Sequence, residues 1–181
     1  MDYSRDRKCD DNQGGNSKVY ILPYVKYLHS EIVVTNNILT TFPSSTIFDM
    51  NANNINFNIG VKEDRDILFD EKISFQLKKL SEIDKFKEIV GRDWRVIVKG
   101  NNGKIRMFGL RNGMLGSYNE DSGTNRTDFN GYQFNFENKE SESAPYLTDL
   151  TGFIVRPIEG LFLSDGQGNI LQDGNDNLIT I

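Results

Sequence analysis

The chain has one cysteine, one histidine and four prolines, and it has no long run of apolar residues. Each scarcity excludes something. A lone Cys9 forms no intramolecular disulfide and no cysteine zinc site. With His29 as the single histidine, a histidine metal cluster is excluded, and Ser-His-Asp or Cys-His catalysis is disfavoured. His29 falls between extended segments and reads as a surface residue. The stretch from Val19 to Leu28 is interrupted by Pro23 and Lys26, and no segment is long enough to cross a bilayer. The charged start, Met1 to Lys8, has no apolar run behind it and does not read as a signal peptide. The expectation is a soluble chain made in a cytoplasm, with no membrane partner. Few prolines argue against a Pro-rich linker. Lys and Arg number 21 against 26 Asp and Glu, a net charge of −5 and a pI near 5.0. Specific nucleic-acid binding as the main task is therefore disfavoured, because phosphate binding needs a basic face. An acidic lining that lets DNA pass without sticking is compatible with that charge.

What is present points to β structure. At 181 residues the chain fits one domain. Hydrophobic content is only 37%, but 12 Phe and 7 Tyr supply a compact aromatic core. The 20 asparagines and 16 glycines mean either many turns or an AT-rich genome.

Residues 1–17 form a polar arm, either disordered or ordered only against a partner. Lys18 to Leu28 is extended, with Pro23 at a strand end or edge. Short strands follow at Glu31–Thr35, Ile38–Phe42 and Thr46–Phe48. Asn54 to Val61 alternates strictly, placing Ile55, Phe57, Ile59 and Val61 on one face, as in a half-buried strand. Lys62 to Asp66 is a charged turn.

The central unit runs from Glu71 to Glu137. Ile73, Phe75 and Leu77 alternate in a strand. Ser81 to Val90 reads as a short helix, capped by Ser81, with Ile83, Phe86, Ile89 and Val90 on its apolar face and Gly91 as its stop. Trp94, Val96 and Val98 alternate with Arg95, Ile97 and Lys99. Asn102-Gly103 marks a hairpin turn into Ile105 and Met107. Leu110 to Asn130 lacks periodicity and reads as a long functional or disordered loop. Its apolar residues Met114, Leu115, Tyr118 and Phe129 have no evident place in a core and are the candidate interface. Tyr132, Phe134 and Phe136 share one face of a closing strand. Ile73, Phe75, Ile83, Phe86, Trp94 and Phe134 are the expected core, and Gly152 to Val155 a last core strand. The organisation expected is an arm over 1–17, one β-rich domain over 18–155 and a C-terminal arm over 156–181. That last arm repeats an Asp-Gly turn at Asp165-Gly166 and Asp173-Gly174, suited to adding to a neighbour's sheet edge.

No motif carries recognisable chemistry. Gly109 to Gly116 has the wrong spacing for a dinucleotide fingerprint and reads as a flexible loop. A Walker pattern is missing, the Asp-Gly repeats lack EF-hand or nonapeptide spacing, and no carboxylate pair stands in an apolar setting that would raise a pKa. No cofactor, metal or catalytic residue is expected. Trp94 reads as a core anchor, with carbohydrate stacking as the alternative.

The run Trp94-Arg-Val-Ile-Val-Lys99, the Asn-Gly-Lys turn with Met107-Phe-Gly109 after it, and Asp128-Phe-Asn-Gly-Tyr132 together resemble virion structural proteins of tailed phages of Bacteroidetes, including crAss-like phages. The paired Asp-Gly turns near the C-terminus are similar to the ends of several such proteins. The resemblance covers residues 70–147 and the C-terminus, and leaves the Asn-rich N-terminal third unplaced. It implies a non-enzymatic neck or tail protein (ring, connector or tube) with a mainly β fold, a β-sandwich or β-barrel carrying one short helix. Its partners would be copies of itself in a ring, neighbouring neck, tail or portal-proximal proteins, and DNA passing through the lumen. Its place would be the virion, after synthesis in the host bacterial cytoplasm. The alternative is a carbohydrate- or protein-binding β-sandwich of a phage or cell-surface fibre, with tyrosines near 20–27 as an aromatic platform. A glycosidase-like enzyme is a third, weaker reading.

Overall fold

The computed structural model describes residues 15–63, 67–78, 89–123 and 129–157. The arm before Gly15 with Cys9, part of the charged turn at 64–66, the helix apart from Ile89 and Val90, and the C-terminal repeats lie outside the described residues. So do the expected core residues Ile83 and Phe86.

Among the described residues twelve strands follow one another: β1 Asn16–Pro23, β2 Val33–Thr35, β3 Ile38–Thr41, β4 Ser45–Asp49, β5 Asn53–Glu63 and β6 Ile67–Lys78, then β7 Asp93–Gly100, β8 Ile105–Phe108, β9 Met114–Asp121, β10 Gly131–Glu140, β11 Tyr146–Leu147 and β12 Phe153–Pro157. The fold is mainly β, as the alternation and turn chemistry imply. Strand β7 is the junction. One of its edges takes β1, and β4 and β12 continue outward from there. Its other edge takes β8 along Val96 to Lys99, followed by β11, β3 and β2. At its N-terminal end, Asp93 and Trp94 pair with Leu115 and Met114 of β9, which leads into β10, β6 and β5.

The sheet bends at that corner, so the β9–β10–β6–β5 part faces the β1–β7–β8 part across a shared core. Val19, Ile21, Trp94, Val96, Val98 and Phe108 meet Ile55, Ile73, Phe75, Leu77, Tyr132, Phe134 and Phe136 there. Phe75 stacks between Phe134 and Phe136, with ring centroids 5.2 and 5.8 Å away. The arrangement is sandwich-like, and the sheet does not close into a barrel: β1 and β5 are not paired, and one side-chain bond, Asn16 Nδ2 to the Ile55 carbonyl at 3.0 Å, spans the gap.

A second core covers the opposite face of β1, β7 and β8, with Tyr20, Leu22, Ile97, Ile105 and Met107 packed against Ile32, Leu39, Leu110 and Leu147. This corrects the reading of β7 as a strand with one inward face. Trp94 to Val98 are all at most 2% exposed, because a strand covered on both sides needs no polar face. At the Asn102-Gly103 turn, Gly103 adopts φ +77° and its N–H donates to Gly100 O at 3.0 Å, with Gly100 N–H bonded to Lys104 O at 2.8 Å. The hairpin forms where the turn chemistry places it.

Two other expectations change. Met114 to Asp121, read as loop, is strand β9 and pairs with β10 from Leu115↔Glu137 to Asp121↔Gly131. Its inward positions are Met114, Gly116 and Tyr118. The middle one has no side chain, so the period of two is hidden. The expected last core strand is a peripheral one: among the described residues β12 pairs, in parallel, only with β4, and Ile154 and Val155 are about half exposed. Among the described residues no helix is long and apolar enough to cross a membrane.

Candidate functional site

The four expected interface residues do not gather on one surface. Met114 is fully buried in the main core. It is filled in by its own chain, and no neighbouring subunit is needed to cover it. Tyr118 is half-buried, with its ring 5.7 Å from Tyr132 and 5.5 Å from Phe134. Phe129 is half-buried just ahead of β10. Only Leu115, 54% exposed, faces solvent.

The aromatic platform near 20–27 is absent as such. Tyr20 is 5% exposed, and Tyr24 and Tyr27 present their faces to the Arg95 guanidinium at 4.4 and 5.1 Å, with Phe42 at 5.4 Å. These rings enclose a buried cation instead of offering a surface. Trp94 is 2% exposed and donates Nε1–H to Ile89 O at 3.0 Å, which fits the anchor reading and leaves no face for a sugar. His29 is exposed.

Two further features bear on function. The first is a buried polar cluster around Gly109–Gly113, the turn between β8 and β9. Along the inner face of the β6–β10 pair, apolar partners Leu77–Tyr132, Phe75–Phe134 and Ile73–Phe136 give way to Glu71–Asn138 and then Phe69–Glu140. The change comes where the turn passes. Glu71 Oε2 accepts Gly109 N–H at 3.0 Å, and Glu140 Oε1 accepts Arg111 and Asn112 N–H, both at 2.9 Å. Arg95 Nε donates to Leu110 O at 3.1 Å, and the Tyr24 hydroxyl donates to Arg111 O. Asn112 Nδ2 donates to Lys139 O at 2.8 Å. Gly109 to Gly113 is therefore a turn tied down by buried side chains from three strands, and not the flexible loop its glycines suggest. Gly109 takes φ +68°, and a Cβ there would lie 2.7 Å from Met114 Cγ and 2.9 Å from Trp94 O.

Glu71, Arg95 and Glu140 are only 1–2% exposed. Burial raises the Glu71 carboxyl to about 7, partly offset by the Gly109 N–H and reinforced by the Glu140 charge. Glu140 is raised as well, again chiefly by burial. The expectation that no carboxylate sits in a pKa-raising environment is corrected. The signal was in the register: Glu71 is in phase with Ile73, Phe75 and Leu77, and Glu140 with Tyr132, Phe134 and Phe136. Chemically, the arrangement caps the N–H groups of a tight turn. Among the described residues no three His, Cys, Asp or Glu side chains gather as metal ligands.

The second feature is the set of open edges. β5, β2 and β12 each pair with only one strand among the described residues. They carry Val61 at 63%, Val33 at 39%, and Ile154 and Val155 at 51% and 48% exposure. β2 has only three residues and a bulge, a usual protection for an edge. β5 runs for eleven residues, with its bulge confined to Asn53–Asn56 and regular pairing from there to Glu63. That leaves a long edge, regular beyond Asn56, with an exposed valine.

No protein-family model, curated protein or solved structure matches this chain.

Proposed function

We propose that this chain is a structural subunit of a tailed-phage virion, joining copies of itself and neighbouring neck or tail proteins into a ring around the DNA path. The observation that carries the assembly part is the regular edge of β5, which carries the exposed Val61 and pairs with no second strand among the described residues. Unpaired backbone N–H and C=O groups beside an exposed apolar side chain form a template for another strand, which is how sheet edges recruit partners. The rim of β12, with Ile154 and Val155, offers a second edge on a different part of the fold. Two non-equivalent edges suit a head-to-tail contact, which closes into a ring when the rotation per subunit divides the circle. The virion context rests on the resemblance of the Trp94–Lys99, Met107–Gly109 and Asp128–Tyr132 stretches to phage neck and tail proteins. A net charge of −5 suits a lumen through which DNA slides without being held.

Mass photometry of the purified protein, alone and with neighbouring neck and tail proteins, tests this. Closed oligomers that dissociate when Val61→Lys is introduced are expected, since a charge on an edge strand opposes pairing. A wild-type chain that stays monomeric in both settings would sink the proposal.

A further inference from the structure

The gap between β5 and the β7–β8 hairpin holds a cleft of about 390 Å³, lined by Asn16, Asn56, Phe57, Asn102, Lys104, Arg106 and Tyr146, among others. We propose that this cleft binds a small acidic sugar, meaning an oxyanion carried on a hydroxylated ring. The proposal is independent of whether the chain assembles.

The charge in the cleft is one-sided. No Asp or Glu lines it, although acidic residues outnumber basic ones in the whole chain. Neither Lys104 nor Arg106 makes an ion pair among the described residues. Glu71 is the carboxylate whose charge Arg106 influences, and it is buried and bonded to Gly109.

Arg106 is also held in place. Its guanidinium lies 4.2 Å from the Tyr146 ring centroid and 5.8 Å from that of Phe57, and Nη2 donates to the Tyr146 hydroxyl. Phe57 is itself fixed against Phe108, with centroids 5.1 Å apart. Nε and Nη1 carry no partner among the described residues. A guanidinium already positioned on aromatic faces, with donors left over, suits fork-like binding of a carboxylate or phosphate at little ordering cost.

The neutral groups supply the rest. Asn16 uses Nδ2 on Ile55 O, leaving its Oδ1 as an acceptor. Asn102 accepts Lys104 N–H with Oδ1 at 3.1 Å, leaving its NH₂ to donate. The Asn56 side chain makes no hydrogen bond among the described residues and offers both functions. Paired amide donors and acceptors match vicinal hydroxyls, and the cleft volume lies in the range of small-ligand sites, about 300–1,000 Å³.

Titration calorimetry on the full chain at low salt, with glucuronate, glucose 6-phosphate, glucose, acetate and inorganic phosphate, is the test. Both acidic sugars, or whichever of the two carries the preferred oxyanion, should bind at least about tenfold more tightly than glucose and than the two bare anions. Arg106→Gln should remove most of that preference. Lys104→Gln, at an exposed position that does not endanger folding, should weaken binding by about threefold. The proposal is overturned if glucose or the bare anions bind as tightly as the acidic sugars, if nothing binds, or if Lys104→Gln leaves the affinity unchanged.

Discussion

Replacing Glu71 by Gln should change how the stability of this protein depends on pH. Glu71 is 1% exposed, and its carboxyl lies at about 7 in the folded chain against an ordinary value of 4.5. The fold therefore prefers the protonated form. This contribution is fully present below pH 4.5 and is lost as pH rises through about 7. At about 1.4 kcal/mol per pH unit, the complete loss is about 3 kcal/mol, most of which falls between pH 5 and pH 8. Glu140 is raised in the same direction and adds to the slope. Gln at position 71 keeps an oxygen for Gly109 N–H and never ionises. Urea denaturation followed by the fluorescence of Trp94, the single tryptophan and 2% exposed, measures both proteins. Wild type should lose about 2–3 kcal/mol more than Glu71→Gln between pH 5 and pH 8, and the variant should be the more stable at pH 8. Equal losses in the two proteins would refute the account of a buried, reluctantly ionised carboxyl.

Other substitutions separate roles that the sequence alone merges. Met114→Ser should cost about 2–5 kcal/mol in the same denaturation assay, because it empties a fully buried site; Leu115→Ser, 54% exposed, should stay within about 0.5 kcal/mol. Arg95→Met should destabilise by about 3 kcal/mol or more, since Val25 O and Leu110 O lose their donor and buried Glu140 loses a neighbouring positive charge. Gly103→Ala should cost about 1 kcal/mol for its φ of +77° alone, the space beside it being open. Gly109→Ala should cost clearly more, since its Cβ would press on Trp94 O. Thermal unfolding of the pair checks that order, and equal melting points would contradict it.

Much of the strand inventory was legible from local chemistry. Alternation at Ile73, Phe75 and Leu77 and at Tyr132, Phe134 and Phe136, and the Asn102-Gly103 turn, are short-range signals that depend on neighbours two to four residues away. They determine a mainly β chain and most of its aromatic core. Tertiary structure decided the rest. β7 is buried on both faces only because a second layer, distant in sequence, covers Ile97 and Arg95. β9 escapes detection because Gly116 sits at its middle inward position, where Ile89 and Phe136 come close. Glu71 and Glu140 resemble surface charges until strand register turns them inward onto a turn from another hairpin. The cleft around Arg106 joins residues from β1, β5, β7, β8 and β11 that no linear pattern associates. Local pattern set which segments extend; the bend of the sheet at β7 set which faces are covered, and so which charges are buried, which edges stay open and where a cleft remains.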